Sequence, residues 1–243
     1  MAGDEALLGD TLNELERVEA GALRDAVVLG GGRAATAGGA VCFLHPRVAM
    51  PELNRAIPIG AHMDAQAILD WFGGHPHLVS CSPGHPGLEE SLAALGYTRA
   101  GAWMKFERDA GASRPAPTDL RVERTLDPDV FTRASGMPPE LSGFVGAPGW
   151  AQFVAWADDE PIATGALYAD GDDAWVGVGT TRPEFRGRGA QSALLAARID
   201  AGRELGVTRF VTETGEQQGS SYRNILRAGF SEAYLRANWA SPR

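Results

Sequence analysis

Lysine is nearly missing from this sequence of 243 residues: Lys105 is the one example, and arginine supplies the remaining positive charge. Lys and Arg together number 22 against 31 Asp and Glu, which gives a formal charge of −9. Proteins that bind nucleic acid through its phosphates usually carry a basic surface, so this balance argues against a nucleic-acid partner. Because the preference for arginine runs through the whole chain, we interpret it as a bias of composition rather than of one site.

Cysteine and long apolar runs are scarce as well. The two cysteines, Cys42 and Cys81, lie in apolar segments, which predicts inert buried thiols and argues against a disulfide framework. No apolar run approaches the roughly 20 residues of a membrane-spanning helix, and the first residues lack the basic and apolar parts of a secretion signal. The five histidines are not spaced as metal ligands. We therefore expect a cytoplasmic protein with no membrane partner and no metal.

The remaining composition is that of an ordinary globular protein, with 44% hydrophobic and 22% charged residues. Residues 110–118 interrupt it, because they are small, include two prolines and show no apolar periodicity, which is typical of a linker. This break predicts an N-terminal domain over residues 1–109 and a C-terminal domain over residues 119–243.

Apolar periodicity predicts alternating strands and helices in both parts. In the first part we predict helices over 4–24 and 63–72 and strands over 26–29, 41–44 and 78–81. In the second part we predict strands over 120–124, 152–156, 161–168, 174–181 and 209–214, and helices over 128–135, 191–205 and 220–228. The alternation favours an α/β (α+β layered) fold with a mixed, mainly antiparallel twisted sheet flanked by helices.

The two parts contain similar sequences near their ends. Residues 92–97, Leu-Ala-Ala-Leu-Gly-Tyr, precede an apolar segment at 102–106, and residues 225–230, Ile-Leu-Arg-Ala-Gly-Phe, precede another at 234–239. Each pair predicts a helix closed by glycine, followed by an aromatic residue and a strand. A duplication accounts for this similarity, and so does a chance agreement of two short segments.

The most informative segment, residues 180–195, runs from a strand through a glycine-containing loop into an amphipathic helix. Gly187 and Gly189 permit close approach to the main chain, and the first amides of a helix favour a bound anion. Arg186 and Arg188 add positive charge. The segment is neither a Walker A loop nor the Gly-x-Gly-x-x-Gly dinucleotide pattern. The loop alone is compatible with a phosphate site and with a plain turn carrying solvated arginines.

The same loop resembles motif A of the GCN5-related N-acetyltransferase (GNAT) superfamily. Its pattern, x-Pro-x-x-Arg-Gly-x-Gly-x-Gly/Ala, has Pro183, Arg186, Gly187 and Gly189 in register, while Gln191 replaces the last small residue. The family's later motif aligns without gaps on residues 213–230. The resemblance covers residues 120–239, and two motifs in the correct order and spacing make it fairly specific.

The resemblance implies a GNAT fold, acetyl-CoA as co-substrate and direct acetyl transfer to an amine. It also implies a set of cofactor-binding positions, with backbone of the strand before the loop holding the pantetheine and the acetyl oxygen. These positions are Gly179, Thr181, Arg186, Gly187, Arg188, Gly189, Ala190, Gln191, Gln218 and Asn224.

Two catalytic positions depart from the family pattern. The tyrosine that commonly reprotonates the CoA thiolate falls at Ile225, which cannot transfer a proton, and the pantetheine-binding asparagine falls at Gln218. Tyr222 lies three residues earlier on a predicted helix, so it is a candidate acid, and a half-buried packing role explains it as well. Glu213, at the end of a buried strand, is a candidate base or a structural carboxylate.

We therefore predict an N-acetyltransferase that acts on an amine acceptor, expected to be a small molecule. The alternatives are use of a longer acyl-CoA, an acceptor other than a free amine, and a catalytically silent acyl-CoA-binding sensor or interaction module. The first part lacks an Arg-Gly-x-Gly loop, so a duplication would make it a degenerate GNAT-like copy. The acceptor's identity and the oligomeric state, a homo-oligomer included, are left open.

Overall fold

The computed structural model describes residues 2–113, 115, 117–215 and 219–242. The chain forms two compact units, one of residues Met1–Lys105 with Ala233–Arg243 and one of residues Phe106–Glu232. The C-terminal segment thus groups with the first unit, whereas the division predicted from the sequence assigns it to the second domain. That division, with its linker at 110–118, stays a prediction.

The elements alternate as the periodicity predicts. The helices are α1 (Ala2–Leu29), α2 (Ala65–Phe72), α3 (Leu88–Ala94), α4 (Pro128–Ser135), α5 (Ala190–Glu204) and α6 (Ser220–Arg227). The strands are β1 (Arg33–Ala37), β2 (Ala40–Leu44), β3 (Arg55–Pro58), β4 (Leu78–Cys81), β5 (Thr98–Asp109), β6 (Arg121–Thr125), β7 (Trp150–Ala157), β8 (Glu160–Asp170), β9 (Asp173–Thr181), β10 (Arg209–Gly215) and β11 (Ser231–Ala240). Three short 3-10 turns lie at Pro51–Leu53, Pro139–Phe144 and Pro183–Phe185.

In the first unit, β1, β2 and β3 pair antiparallel in sequence order, and β3 then pairs parallel with β4. The other neighbour of β4 is the C-terminal strand β11, which runs antiparallel to it. The core on one face includes Ile68 and Phe72 of α2 and Leu92 of α3, all fully buried. Cys42 and Cys81 lie in the same core, and burial raises the pKa of each thiol to about 12.

In the second unit, β6, β7, β8 and β9 pair antiparallel in sequence order, and β9 pairs parallel with β10. Helices α4 and α5 pack against this sheet. The mixed, mainly antiparallel sheet flanked by helices that the sequence predicts is therefore confirmed. Both units contain three successive antiparallel strands, a helix, a parallel strand and a second helix.

One prediction for the first unit is wrong, and two of its strands have no sequence prediction. Residues 26–29, predicted as a strand, form the last turn of α1, because Ala26 and Val27 are buried while Val28 and Leu29 are 46% and 43% exposed. This one-sided burial continues the helical face that Leu15, Val18 and Leu23 begin. Strands β1 and β3 were not predicted from the sequence: β1 is alanine-rich and β3 ends in proline, so neither shows a β-type pattern.

A buried ionic cluster joins four elements of the first unit. It consists of Glu16 and Glu19 on α1, Arg55 on β3, Lys105 on β5 and Arg236 on β11, each no more than 1% exposed. Glu19 accepts hydrogen bonds from all three cations, at 2.6 Å from Arg55 and 2.9 Å from Arg236. The single lysine of the chain is therefore a core residue.

Acid is expected to destabilise the first unit through His77. The pKa of His77 falls to about 4 because burial disfavours its charged form, although a hydrogen bond to the His75 carbonyl opposes the shift. Its ring stacks on Phe72 at 3.6 Å, and its Nε2 lies 2.6 Å from the Tyr97 hydroxyl. An unfolded histidine titrates near 6.5, so between about pH 6.5 and 4 the unfolded chain binds the extra proton and stability falls as pH falls.

We expect this residue to contribute about 2 kcal/mol of destabilisation between pH 7.5 and pH 5. Urea unfolding at the two pH values measures it, and His77→Gln, which keeps a hydrogen-bonding group without titrating, reduces the difference. His85, whose pKa is also lowered by burial, leaves a residual slope. An identical pH dependence in the wild type and the variant would contradict the assignment.

Candidate active site

The loop between β9 and α5 is shaped to receive an anion. Gly187 and Gly189 both have φ of +83°, a left-handed conformation that glycine adopts without strain. Gly189 is the N-cap of α5, and no side chain caps the helix there. The start of α5, the end of the helix that carries partial positive charge, thus has no capping side chain in front of it.

The strand before this loop separates from its parallel neighbour. The register of β9 with β10 covers Asp173–Trp175 against Arg209–Val211. Beyond it the Thr212 hydroxyl donates to the Val176 carbonyl at 2.6 Å. The β8–β9 register shifts at Val178, whose φ of +51° is unusual for a β-branched residue. Backbone strain of this kind is often found at functional sites. Here it accompanies a change in the direction of the last residues of β9.

A cleft of about 560 Å³ lies over the end of β9 and the start of α5, with α6 along its side. Most of the predicted cofactor-binding residues line it: Gly179, Thr181, Arg186, Gly187, Gly189, Ala190, Gln191 and Asn224. Gln218 lies outside the described residues. The structure therefore brings together residues that are 45 positions apart in the sequence, from Gly179 to Asn224.

Gln191 holds the loop in place. Its amide nitrogen donates to the carbonyls of Thr164 and Thr180, at 3.2 and 2.7 Å, and to the Thr181 hydroxyl at 3.1 Å. A Cβ added at Gly179 would lie 2.9 Å from the Gln191 side-chain oxygen, so a side chain at 179 would displace the Gln191 amide. The departure from the family pattern at position 191 thus ties the first turn of α5 to the ends of β8 and β9.

The two arginines of the loop lie in different places. Arg186 is exposed and lines the cleft, with its Nε 3.4 Å from the Thr181 carbonyl. Arg188 is absent from the cleft lining among the described residues and pairs with Asp119 at 2.5 Å. The Thr118 hydroxyl also donates to the Arg188 carbonyl at 2.7 Å. Arg188 therefore fixes the loop against the segment before β6.

Two further arginines line the cleft and were not predicted. Arg223 and Arg227 stand one turn apart on α6, exposed and facing the cleft with Asn224. Arg227 donates to the Asn224 side-chain oxygen at 2.7 Å. Together with Arg186 they make the cleft locally basic in a chain of formal charge −9. The i, i+4 spacing of the pair is the signal in the sequence that marks a shared helix face.

A second cleft of about 240 Å³ lies where β9 and β10 diverge. Glu213, half-buried at the end of β10, and Ile225 of α6 are on its wall, and the second cleft shares Gly179, Gln191 and Asn224 with the first. The second cleft therefore contains the candidate base, Glu213, and Ile225, the residue at the position of the family's tyrosine.

Tyr222 is on neither wall among the residues described. Its side chain is 8% exposed and its ring packs edge-on against Phe106, with centroids 5.3 Å apart. Tyr222 and Ile225 are both buried residues of α6, but only Ile225 reaches the second cleft. The packing alternative considered for Tyr222 therefore matches its surroundings.

The corresponding helix of the first unit begins differently. Helix α2 also follows three successive antiparallel strands, but Asp64 is its N-cap and the Asp64 carboxylate accepts from the Ala67 amide at 3.0 Å. A carboxylate at this position satisfies a first-turn amide and repels a second anion. The first unit thus has no comparable anion site at this helix, within the residues described.

Two features are absent from the part of the chain that the structure describes. No group of three or more His, Cys, Asp or Glu side chains is placed to hold a metal ion. No helix in the same residues is long and apolar enough to span a membrane.

A strand that splits from its parallel neighbour and leads through a glycine loop into a helix without a side-chain cap is an arrangement that suits a phosphate-bearing ligand in an α/β domain. Residues 122–230, a little under half of the chain, match the model of the acetyltransferase (GNAT) family. This match supports N-acetyltransferase as the class of activity. Among proteins with curated descriptions, none matches the sequence significantly.

Solved structures share the fold across most of the chain. A GCN5-related N-acetyltransferase from Kribbella flavida has a TM-score of 0.65 at 19% identity, covering 91% of this chain and 95% of its own. A GCN5-related N-acetyltransferase-like protein from Streptococcus suis has 0.59 at 12%, covering 86% and 88%. A tandem GNAT protein from the clavulanic acid biosynthesis pathway has 0.56 at 16%, covering 83% and 78%. At these identities the likeness shows the fold.

Proposed function

We propose that the second unit binds acetyl-CoA in the two connected clefts and transfers the acetyl group directly to the amine of a small molecule. The observation that carries the proposal is the uncapped start of α5 at Gly189, facing a cleft that Arg186, Arg223 and Arg227 make basic. Coenzyme A carries a pyrophosphate and a further phosphate, which suit helix amides and arginine side chains.

The residues of each cleft would then bind separate parts of acetyl-CoA, the acetyl donor. Gly187, Gly189 and Ala190 would hold the pyrophosphate through their amides, and Arg186 would add charge. Gly179 and Thr181 at the end of β9 would hold the pantetheine and the acyl oxygen through the main chain. Arg188 contributes through the loop geometry instead, since its side chain pairs with Asp119.

The thioester supplies an activated acyl group, so the protein's own task is to orient it, polarise its carbonyl and take a proton from the amine. Glu213 is the proposed base because it lies on the wall of the second cleft, half-buried beside Thr212 and Thr214. Both cysteines are buried in the first unit with pKa values of about 12, which disfavours an acyl-cysteine intermediate.

Calorimetry with coenzyme A and thiol release from acetyl-CoA test the proposal. The amines are a polyamine, amino acids, an aminoglycoside, a peptide N-terminus and a protein lysine, and propionyl- and longer acyl-CoA test chain length. We expect binding and amine-dependent thiol release with at least one small amine. Binding without turnover on every acceptor would indicate a silent acyl-CoA-binding module, and absence of binding would overturn the proposal.

Removing the Tyr222 hydroxyl tests which of its two roles holds. Tyr222→Phe keeps the ring that packs on Phe106, so we expect thiol release within about twofold of the wild type in both kcat and KM. Steady-state kinetics with saturating amine measure it. A fall in kcat above about tenfold at unchanged KM would show that the phenol acts as an acid.

We also propose that the chain is a tandem of two GNAT-like copies, of which the first has lost its cofactor loop. The repeated order of three antiparallel strands, helix, parallel strand and helix supports this, as does the carboxylate of Asp64 at the start of α2. The fold likeness to a tandem GNAT protein supports it further. A cytoplasmic location is proposed as well, on the amino-acid composition alone.

A further inference from the structure

We propose that Arg198 supplies the positive charge that stabilises the coenzyme A thiolate as it leaves, inside the cleft between β9 and β10. This inference rests on the proposed function, because it concerns the same site. Arg198 lies in the middle of α5, is 2% exposed and forms part of the wall of the 240 Å³ cleft. Nothing in the family motif or the helical pattern marks it.

The guanidinium of Arg198 is held by main-chain hydrogen bonds close to the place where the β8–β9 register shifts. Its Nε donates to the Leu194 carbonyl and its Nη1 to the Gly177 carbonyl, both at 2.9 Å. Gly165 of β8 makes room for it, since a Cβ at Gly165 would lie 2.6 Å from the Arg198 Cζ. The charge is therefore fixed next to the strained residue Val178, where β9 changes its register with β8.

This buried cation has no anionic partner in the described part of the chain. Both acceptors of Arg198 are neutral main-chain carbonyls. Burial is also the sole cause that lowers its pKa, to about 9, with no carboxylate opposing the shift. A buried charge without a counterion is unfavourable, so its presence on a cleft wall points to an anion that arrives with a ligand or forms in the reaction.

The anion that forms in this cleft is the thiolate. Among the described residues, the charged groups on its wall are Arg198 from α5 and Glu213 from β10, while β9 and α6 present uncharged residues there, including Ile225 and Asn224. Ile225 stands where the family usually has its acidic tyrosine and cannot donate a proton. A fixed cation on the wall of a cleft stabilises a developing negative charge without proton transfer.

In the step proposed, the amine nitrogen forms a bond to the thioester carbonyl carbon. The carbon–sulfur bond then breaks with its electron pair remaining on sulfur, and the extra proton of the nitrogen passes to Glu213 or to water. The thiolate lies beside Arg198 as an anion and takes a proton from solvent on release. No oxidant or further reactant is needed.

The experiment measures the pKa of the bound thiol rather than turnover alone. The binary complex with coenzyme A is titrated by the ultraviolet absorbance of the thiolate. Cys42 and Cys81, with pKa values of about 12, do not titrate near neutral pH. Free thiols titrate near 8.5, and we expect the bound thiol about one unit or more below the free coenzyme.

Three variants separate charge from hydrogen bonding. Arg198→Lys keeps the charge and is expected to keep the lowered thiol pKa, whereas Arg198→Gln keeps a donor without the charge and is expected to lose it. We also expect Arg198→Gln to lower kcat about tenfold with a smaller change in KM. Arg203→Gln is the matched control, because Arg203 is exposed on the same helix and pairs with Asp200 at 3.5 Å.

The possible results are distinguishable. No binding of coenzyme A by the wild type defeats the proposed function. Binding with a thiol pKa equal to that of the free coenzyme, or a lowered pKa that survives in Arg198→Gln, defeats only the role of Arg198. If Arg198→Gln does not fold, Gly165→Ala is used instead. Its added methyl group would occupy the space of the Arg198 guanidinium and displace it, which should raise the thiol pKa.

Discussion

Gly189→Asp is expected to weaken binding of coenzyme A at least about 100-fold while the protein stays folded. Gly189 caps α5 with its backbone and leaves the first amides open. An aspartate there would accept from those amides, as Asp64 does at the start of α2, and its charge would repel a pyrophosphate. The variant therefore gives α5 a carboxylate N-cap like the one that Asp64 provides for α2 in the first unit.

The backbone cost of this change has a matched control. Gly189 has φ of +83°, where any side chain is strained, and a Cβ would lie 3.4 Å from the Thr118 Cβ. Gly206, just after α5, has φ of +87° and open space around it. Gly206→Asp thus adds the same charge with the same kind of strain at the opposite end of the helix, away from the residues that line the clefts.

Calorimetric titration with coenzyme A gives both dissociation constants, and thermal unfolding reports the fold. We expect Gly206→Asp to bind within about threefold of the wild type, since its charge lies beyond a Debye length along the helix. Equal binding by Gly189→Asp and the wild type would remove the loop from the cofactor site. An equal loss in both variants would show that strain, and not the position of the charge, is responsible.

The loop could be predicted from the sequence because its chemistry is local. Gly187 and Gly189 are required by positive φ, and Gln191 follows within one turn, so a short motif contains the whole geometry. The long helix and its preceding strand are equally local, and both lie within a residue or two of the predicted bounds. The positions on β10 and α6 that belong to the same site are predicted only through the resemblance to the family.

The cations that complete the site could not be predicted in the same way. An arginine on a helix is usually solvated, and Arg198 gives no local sign that Gly165, 33 residues earlier, leaves a space for it. Arg223 and Arg227 are visible as a pair, but only the packing of α6 beside the cleft gives them a role. The role of each arginine therefore depends on its position in the folded protein rather than on its residue type.

The same limit applies to the core of the first unit. Glu16 and Glu19 fall within an amphipathic helix, where carboxylates ordinarily face water. Their partners come from β3, β5 and β11, strands far away in the sequence. Only the assembled unit shows that its core contains two carboxylates and three cations.

Glu19→Gln is expected to destabilise the first unit by about 3–5 kcal/mol, a large fraction of the stability of an ordinary domain. Burial alone would raise the pKa of Glu19, but the charges of Arg236, Lys105 and Arg55 outweigh it and hold that pKa well below its usual range. The carboxylate is thus ionised and pairs with all three cations. Glutamine fills the same volume without the charge and leaves Glu16 as the remaining carboxylate of the cluster.

Urea unfolding of Glu19→Gln, Lys105→Met and the double variant separates charge balance from packing. Glu19→Gln leaves three buried cations with one carboxylate, whereas the double variant removes one charge of each sign and returns to the wild-type excess of one cation, so its loss should fall well short of the sum of the two. Glu90→Gln, at an exposed position on α3, controls for loss of a carboxylate and should change stability by less than about 0.5 kcal/mol. Additive losses would mean that Glu19 and Lys105 act independently, and a neutral Glu19→Gln would mean that the cluster does not stabilise the fold. Because Arg236 belongs to β11, the pairing also connects the C-terminal strand to the first unit: its guanidinium pairs with Glu16 and Glu19 of α1.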